Sequence, residues 1–226
     1  MCAVLYTAWI TEIVLITGED PMYTYVSELA ATDQPYGYVF RTTDLISGSC
    51  AIAASALALL CLEHRPWVTA GWAAFSLFGV ATVLDSRYPL SCALVADYSC
   101  FALDDAGLAP VSHTVHAVTS GVAVSAFLTA MTSLTIAARR YNEWPVLARY
   151  GAPICMAQWA VNFWLMCAVI AFHTRHINWW LGLAERLQAL LLAVWTVVLA
   201  SCLARRPMRQ ALGNDSAAAD QHLTSS

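Results

Sequence analysis

Residues 85–116 read DSRYPLSCALVADYSCFALDDAGLAPVSHTVH. This interval contains two cysteines, four aspartates and two histidines, and a long apolar run flanks it on each side. Apolar runs of this length predict membrane-spanning helices, so the interval itself is predicted to be a loop at one face of a membrane. Because reactive groups are concentrated in this loop, we expect the functional residues of the chain to gather at that face.

The composition of the whole chain supports a membrane location. Of its 226 residues, 59% are hydrophobic and 12% are charged, whereas a soluble domain contains roughly 25% charged residues. All 11 basic residues are arginines, and none forms a cluster outside the segments that flank the apolar runs. This distribution gives no indication of a nucleic-acid partner. We predict an all-α, polytopic membrane protein whose partner is the lipid bilayer.

The apolar runs predict a bundle of six transmembrane helices within a single domain, residues 1–205, followed by a polar tail, residues 206–226, that we expect to be disordered. The predicted spans are about 2–17, 45–62, 68–84, 113–138, 152–172 and 183–203. An even number of spans places both termini on one side. Seven arginines fall on that side and four on the other, which predicts a plasma-membrane protein with cytoplasmic termini.

The loop between the third and fourth spans contains Cys92 and Cys100, the only two cysteines assigned to a loop. With this topology the loop faces an oxidising compartment, where a disulfide between them is the expected pairing. Two free thiols or a pair of metal ligands are the alternatives.

Histidines near the same face suggest a metal site. His113 and His116 are three residues apart on the first turn of the fourth span, and His173 follows the fifth span. Together with Asp85, such residues are typical ligands of zinc, whose bound water becomes a nucleophile near neutral pH. The alternative interpretation is that these are interfacial histidines hydrogen-bonded to loop carbonyls.

Four motifs carry a family resemblance: YVSELAA at 25–31, PYGYVF at 35–40, DSRYPLSC at 85–92 and SHTVHAVTS at 112–120. They resemble the bacterial and archaeal membrane proteins grouped as domain of unknown function 998, and the loop with the cysteines resembles the actinobacterial branch. Ser91 stands where many relatives have an acid. The resemblance implies a six-span membrane protein and no particular activity. The chain also shows a fainter likeness to the alkaline ceramidase and progestin-receptor group, but it has neither their seven spans nor their His-x-x-x-His pair.

These residues lead to two main functional hypotheses. The first is a metal-assisted hydrolase or transferase acting on a lipid or envelope precursor at the outer leaflet. Its metal ligands would be His113, His116 and His173, its catalytic carboxylates Glu28, Asp85 and Asp97, and its substrate-binding residues Ser27, Arg41 and Arg186.

The second hypothesis is a non-catalytic accessory or lipid-binding subunit of a larger envelope complex. A transporter is a third reading, suggested by the intramembrane polar residues Glu12, Gln158 and Asn162. Whatever the function, we expect Arg186 to pair with Asp85 or Glu28.

Overall fold

The chain folds into helices joined by loops. A computed structural model of the chain describes residues 7–15 and 17–204. Two 3-10 helices, Ala8–Ile13 and Val26–Ala30, come first. The α-helices are α1 Gly37–Cys61, α2 Pro66–Arg87, α3 Tyr98–Asp105, α4 Val111–Tyr141, α5 Pro145–Arg175 and α6 Leu181–Ala204. No β-strand occurs in the described ranges, and the all-α prediction is confirmed.

Five of the helices, α1, α2, α4, α5 and α6, are long and apolar enough to cross a membrane. They correspond to the five predicted spans from 45–62 onward. The chain is therefore a multi-pass membrane protein. The short helix α3 lies within the loop that carries the cysteines and was not predicted.

The predicted first span, residues 2–17, is not confirmed, and neither is the count of six. Residues 8–13 form a six-residue 3-10 helix instead of a continuous α-helix, and residues 1–6 and 16 lie outside the described residues, as does the predicted tail. A physical reason is Glu12, whose carboxylate pairs with Arg186 on α6. The ion pair binds this apolar segment to the bundle.

The bundle has two unlike ends. At one end lie residues 17–36, 88–110 and 176–180, and we call this the loop-rich end. At the other, the short-loop end, only residues 62–65 and 142–144 connect helices. The first 3-10 helix packs at the loop-rich end, whereas α6 finishes at the short-loop end. A shared side for both termini is therefore not confirmed.

Helix α1 begins at Gly37, well before the predicted residue 45. Its first turns contain polar side chains, so the length of the apolar run underestimates the length of the helix. Arg41 donates through one guanidinium nitrogen to the carbonyls of Ala30 and Ala31, at 2.7 and 3.1 Å. Asp44, assigned to a loop by its polarity, is consequently on a helix and faces the bundle interior.

The core is packed by aromatic rings from three helices. Phe78 on α2 lies 5.2 Å from Phe127 on α4, and Phe127 lies 5.6 Å from Trp195 on α6, measured between ring centroids. Helices α1 and α2 approach closely where Gly48 meets Gly79, since a Cβ on either glycine would lie 2.7 Å from the carbonyl oxygen of the other.

Candidate functional site

A polar cavity of about 140 Å³ lies among the five spanning helices and extends toward the loop-rich end. Three carboxylates line it, each from a different helix: Asp44 on α1, Asp85 on α2 and Glu185 on α6. We call it the acidic cavity. Carboxylates at membrane depth are costly and usually mark a functional pathway or site.

Neutral polar groups and apolar walls complete the lining. The neutral polar residues are Ser27, Thr43, Thr82, Ser120, Gln158 and Gln188. Much of the remaining wall is apolar or aromatic, including Trp9, Phe40, Phe78 and Phe127. None of the described lining residues carries a positive charge. The cavity therefore favours a cation over an anion.

Asp85 is the centre of the hydrogen-bonding network at this cavity. The hydroxyl groups of Thr119 and Ser120 both donate to its Oδ1 atom, Ser120 at 3.1 Å, and His116 Nδ1 lies 3.0 Å from the same oxygen. His116, Thr119 and Ser120 occupy positions i, i+3 and i+4 of α4, so helical periodicity puts them on one face. Three groups on α4 thus converge on one carboxylate of α2.

The arrangement differs from a serine-nucleophile triad. In a triad the histidine stands between the serine and the aspartate and takes the serine proton. Here the Ser120 hydroxyl is closer to Asp85, at 3.1 Å, than to His116 Nε2, at 3.5 Å. The carboxylate, not the imidazole, is the acceptor for Ser120. The network therefore fixes the orientation of the Asp85 carboxylate.

The buried imidazole of His116 lies against the Asp85 carboxylate. Its side chain is buried, and Nδ1 forms no hydrogen bond of suitable geometry within the described ranges, despite its short distance to Asp85. An imidazole nitrogen beside a carboxylate is the donor set that zinc prefers. However, no three ligand atoms of the cavity's acids and histidine lie within 4.8 Å of one another among the described residues. A complete set of three protein ligands is therefore not assembled here.

One group of three described ligand atoms does meet that distance: Cys92, Cys100 and His113. The two sulfurs are joined as a disulfide in this structure and are not available to a metal. His113 Nε2 accepts a hydrogen bond from the backbone N–H of Ser91 at 2.9 Å. His113 therefore fixes the cysteine loop against α4.

His173, the third predicted metal ligand, lies apart from the other two. Its ring is exposed at the end of α5, with Nδ1 3.1 Å from the Val169 carbonyl oxygen. The carbonyl belongs to α5 itself, four residues earlier in the helix, and not to a loop. The structure does not bring His113, His116 and His173 together, so a site built from all three lacks geometric support.

Glu28, a predicted catalytic carboxylate, is fully buried outside the cavity lining. Its Oε1 accepts from the backbone N–H of Val95 at 2.7 Å, and its Oε2 has no partner among the described residues. Burial raises the pKa of the Glu28 carboxyl from 4.5 to about 8, and the nearby Glu19 and Glu185 add to the rise while the Val95 bond opposes it. Glu28 connects the second 3-10 helix to the cysteine loop.

Asp97, a second predicted catalytic residue, caps helix α3. It is exposed, and its Oδ1 accepts from the backbone N–H of Ser99 at 2.8 Å and from the Ser99 hydroxyl at 2.7 Å. These bonds lower the pKa of the Asp97 carboxyl. An exposed N-cap with a lowered pKa is poorly suited to act as a general base.

Of the three predicted substrate-binding residues, only Ser27 lines the cavity. Arg41 is bound to backbone carbonyls. The prediction that Arg186 pairs with Asp85 or Glu28 was wrong. The Nε atom and one terminal nitrogen of Arg186 donate to the two carboxylate oxygens of Glu12, at 2.7 and 2.6 Å. The reason is that the first 3-10 helix folds onto α6 beside Arg186.

Several cavity residues were not predicted as site residues. Asp44 was assigned to a loop, and Glu185 was not placed in a site. Ser120 has a signal in the sequence, because it lies four residues after His116 and so on the same helical face. Gln158 also has a signal in the sequence, because it is an amide side chain within a predicted span.

The second 3-10 helix covers the loop-rich side of the cavity. Glu185 Oε2 accepts from the backbone N–H of Val26 at 2.7 Å, and both Val26 and Ser27 line the cavity. A cavity acid thus also positions the segment that covers it.

Comparison with protein-family models matches residues 1–201 to a family described as "Protein of unknown function (DUF998)". The match includes every residue of the acidic cavity. No curated protein and no solved structure matches the chain significantly. The resemblance of the cysteine loop to an actinobacterial branch stays a prediction. Because the match covers most of the sequence, the chain belongs to the family described as Protein of unknown function (DUF998).

Proposed function

We propose that this protein is a membrane-embedded hydrolase or transferase whose reaction takes place in the acidic cavity. The observation that carries the proposal is the pair of Asp85 and His116. Their Oδ1 and Nδ1 atoms lie 3.0 Å apart, with the imidazole buried and the carboxylate partly buried. A carboxylate and imidazole pair of this kind beside a cavity with polar side chains in its lining is a default candidate for catalysis.

The roles of the residues follow from their contacts. Asp85 and His116 would bind a zinc-like cation, which, when bound, polarises a carbonyl or phosphoryl oxygen and activates water. Thr119 and Ser120 orient the Asp85 carboxylate through their hydroxyl groups. The second 3-10 helix limits the entry of bulk water from the loop-rich end.

A lipid or an envelope precursor is the proposed substrate class. The cavity lies among spanning helices and has aromatic walls, which suit a molecule held in the bilayer. We place the loop-rich end outside the plasma membrane and the end of α6 in the cytoplasm, supported by the arginine bias and the disulfide. After reduction, a membrane-impermeant maleimide should label Cys92 and Cys100 in intact cells; labelling only after lysis would reverse this orientation.

The proposal is tested by elemental analysis of the detergent-purified protein. We expect about one transition metal per chain in the wild type and in the control His173→Ala, and a loss of metal in His116→Ala. The control removes an exposed imidazole at the same end of the bundle. Absence of metal from the wild type, or equal metal in His116→Ala, would contradict a metal-assisted reaction at this pair.

A non-catalytic lipid-binding or accessory subunit is the second candidate. It is favoured by the lack of three converging ligand atoms among the described acids and histidine of the cavity. On this alternative, metal-free protein would co-purify with a stoichiometric partner or lipid from native membranes, and His116→Ala would leave that association unchanged.

A further inference from the structure

We infer that the acidic cavity recognises the positively charged amine of its ligand, and that this ligand is a small organic ammonium group rather than a bare metal ion alone. The inference rests on the site of the proposed function and names the class of molecule it binds. Asp44, Asp85 and Glu185 surround the cavity from three helices, and no described lining residue opposes their charge.

An independent observation comes from Gln158. This side chain is 1% exposed, lines the cavity, and its carbonyl oxygen Oε1 has no hydrogen-bond partner among the described residues. A buried carbonyl without a donor costs free energy, which a ligand that supplies N–H groups would recover. An ammonium group has three such donors and no acceptor. The Gln158 carbonyl and the carboxylates are therefore all suited to accept hydrogen bonds from an ammonium group.

The spacing of the acids favours a polyatomic cation. A single metal ion needs ligand atoms that converge, yet no three ligand atoms of the cavity's acids and histidine meet within 4.8 Å in the described ranges. An alkylammonium group presents its N–H donors in different directions and does not need its acceptors to share one point. The arrangement thus accommodates an amine beside the Asp85 and His116 pair.

Size and wall chemistry define the ligand further. A cavity of about 140 Å³ is several times larger than the roughly 10–15 Å³ that one water needs. That volume fits an ammonium group with a stem of two or three carbons. Trp9, Phe40 and Phe127 supply aromatic walls, which suit both an aliphatic stem and a cation. An aminoalkyl headgroup of a lipid and a free alkylamine share this chemistry.

The test uses the full chain in a neutral detergent and n-propylammonium chloride as the probe. Thermal unfolding is followed while the probe is titrated at constant ionic strength, with n-propanol as the uncharged probe of similar size. At about ten times its Kd, propylammonium should raise Tm by roughly 3–5 °C, and propanol should not. Equal effects of the two probes, or no effect of propylammonium, would overturn the inference.

Variants locate the binding. Asp44→Asn and Glu185→Gln should each weaken propylammonium binding by about tenfold or more. The matched control Asp105→Asn removes one negative charge from the exposed end of α3 and should bind like the wild type. Unchanged affinity for propylammonium in both cavity variants would overturn the inference. If a variant does not fold, the comparison of propylammonium with propanol on the wild-type protein still tests the inference.

The outcome is separable from that of the proposed function. The metal content of His116→Ala tests the proposed function, whereas the propylammonium titration of the wild type tests the amine inference. If a divalent cation stabilises the wild type and propylammonium does not, the amine inference fails while the proposed metal site stands. If propylammonium does bind, reconstitution with phosphatidylethanolamine or with phosphatidylglycerol identifies where the natural amine comes from. Competition with propylammonium by phosphatidylethanolamine alone indicates a lipid headgroup. Competition by neither lipid indicates a free amine.

Discussion

Two clusters of charged side chains lie at the loop-rich end, and they differ in how their charges are satisfied. Glu12 and Arg186 form a closed pair: two short hydrogen bonds join them, and Arg186 also donates to the carbonyls of Thr24 and Gly182. The acidic cavity is open: Asp44, Asp85 and Glu185 face one space with no described cation among its lining residues.

The difference separates a structural role from a functional one. A buried ion pair in which both carboxylate oxygens and most of the guanidinium N–H groups are hydrogen-bonded leaves a ligand little to bind. Carboxylates that face a cavity with no cationic side chain in its described lining are unfavourable for folding alone, although His116 lies 3.0 Å from Asp85. Such carboxylates are typical of sites kept for binding or catalysis. Arg186 therefore fastens the first 3-10 helix to α6, whereas Asp85 is available for chemistry.

The largest effect is expected from breaking the closed pair. Arg186→Met leaves the Glu12 carboxylate buried without its partner, and such losses cost about 3–5 kcal/mol of the free energy of unfolding. Tm measured in detergent should fall by roughly 10 °C. The double variant Glu12→Leu, Arg186→Met should recover most of this loss, because it removes both charges. A double variant no more stable than Arg186→Met would argue against a closed structural pair.

A smaller, pH-dependent effect is expected from Glu28. Because its pKa is raised from 4.5 to about 8 in the folded protein, the folded state retains a proton that the unfolded state releases between these values. Its contribution to stability is therefore complete below pH 4.5 and is lost as the pH rises toward 8.

Glu28→Gln keeps an acceptor for the Val95 N–H group and cannot ionise. Relative to the wild type, its Tm should be similar near pH 4.5 and higher near pH 8.5. The measurement is Tm across this pH range for both proteins. Parallel curves would show that Glu28 is ionised in the folded state, contrary to its burial.

The smallest effect is expected from the exposed cap. Asp97→Ala removes the acceptor for the Ser99 N–H group at the start of α3, which should lower Tm by only about 1–3 °C. Metal content and propylammonium binding should be unchanged, because Asp97 lies outside the described cavity lining. Loss of metal or of propylammonium binding would restore Asp97 as a candidate functional residue. Asp105→Asn again serves as the control for the removed charge.

The spanning helices could be predicted from the sequence because their signal is local. Apolar runs of nearly the right length identify α1, α2, α4, α5 and α6. The polar end of α1 could not be predicted in this way, because the contacts of Arg41 with Ala30 and Ala31 and the position of Asp44 at the cavity depend on the tertiary fold. The first predicted span is not confirmed for a similar reason: the length of the apolar run suggests a span, but Glu12 pairs with a residue 174 positions away.

The site was partly predictable. Asp85 and His116 were proposed from their types and positions, and the structure places them side by side at the cavity. The other members depend on which helices meet. Nothing local in the sequence shows that Asp44, Gln158 and Glu185 share one space, and residues such as Asp97 and His113 are polar for structural reasons that only their hydrogen bonds reveal.

The most direct test of this contrast between closed and open charges is the Asp85→Asn variant, with Tm and bound cation measured on one preparation. Asparagine can still accept hydrogen bonds from the hydroxyl groups of Thr119 and Ser120, but its side chain has no charge. Our account predicts an equal or higher Tm together with loss of the bound cation. A fall in Tm comparable to that of Arg186→Met, with the cation content unchanged, would show that Asp85 is a structural residue and would contradict the account.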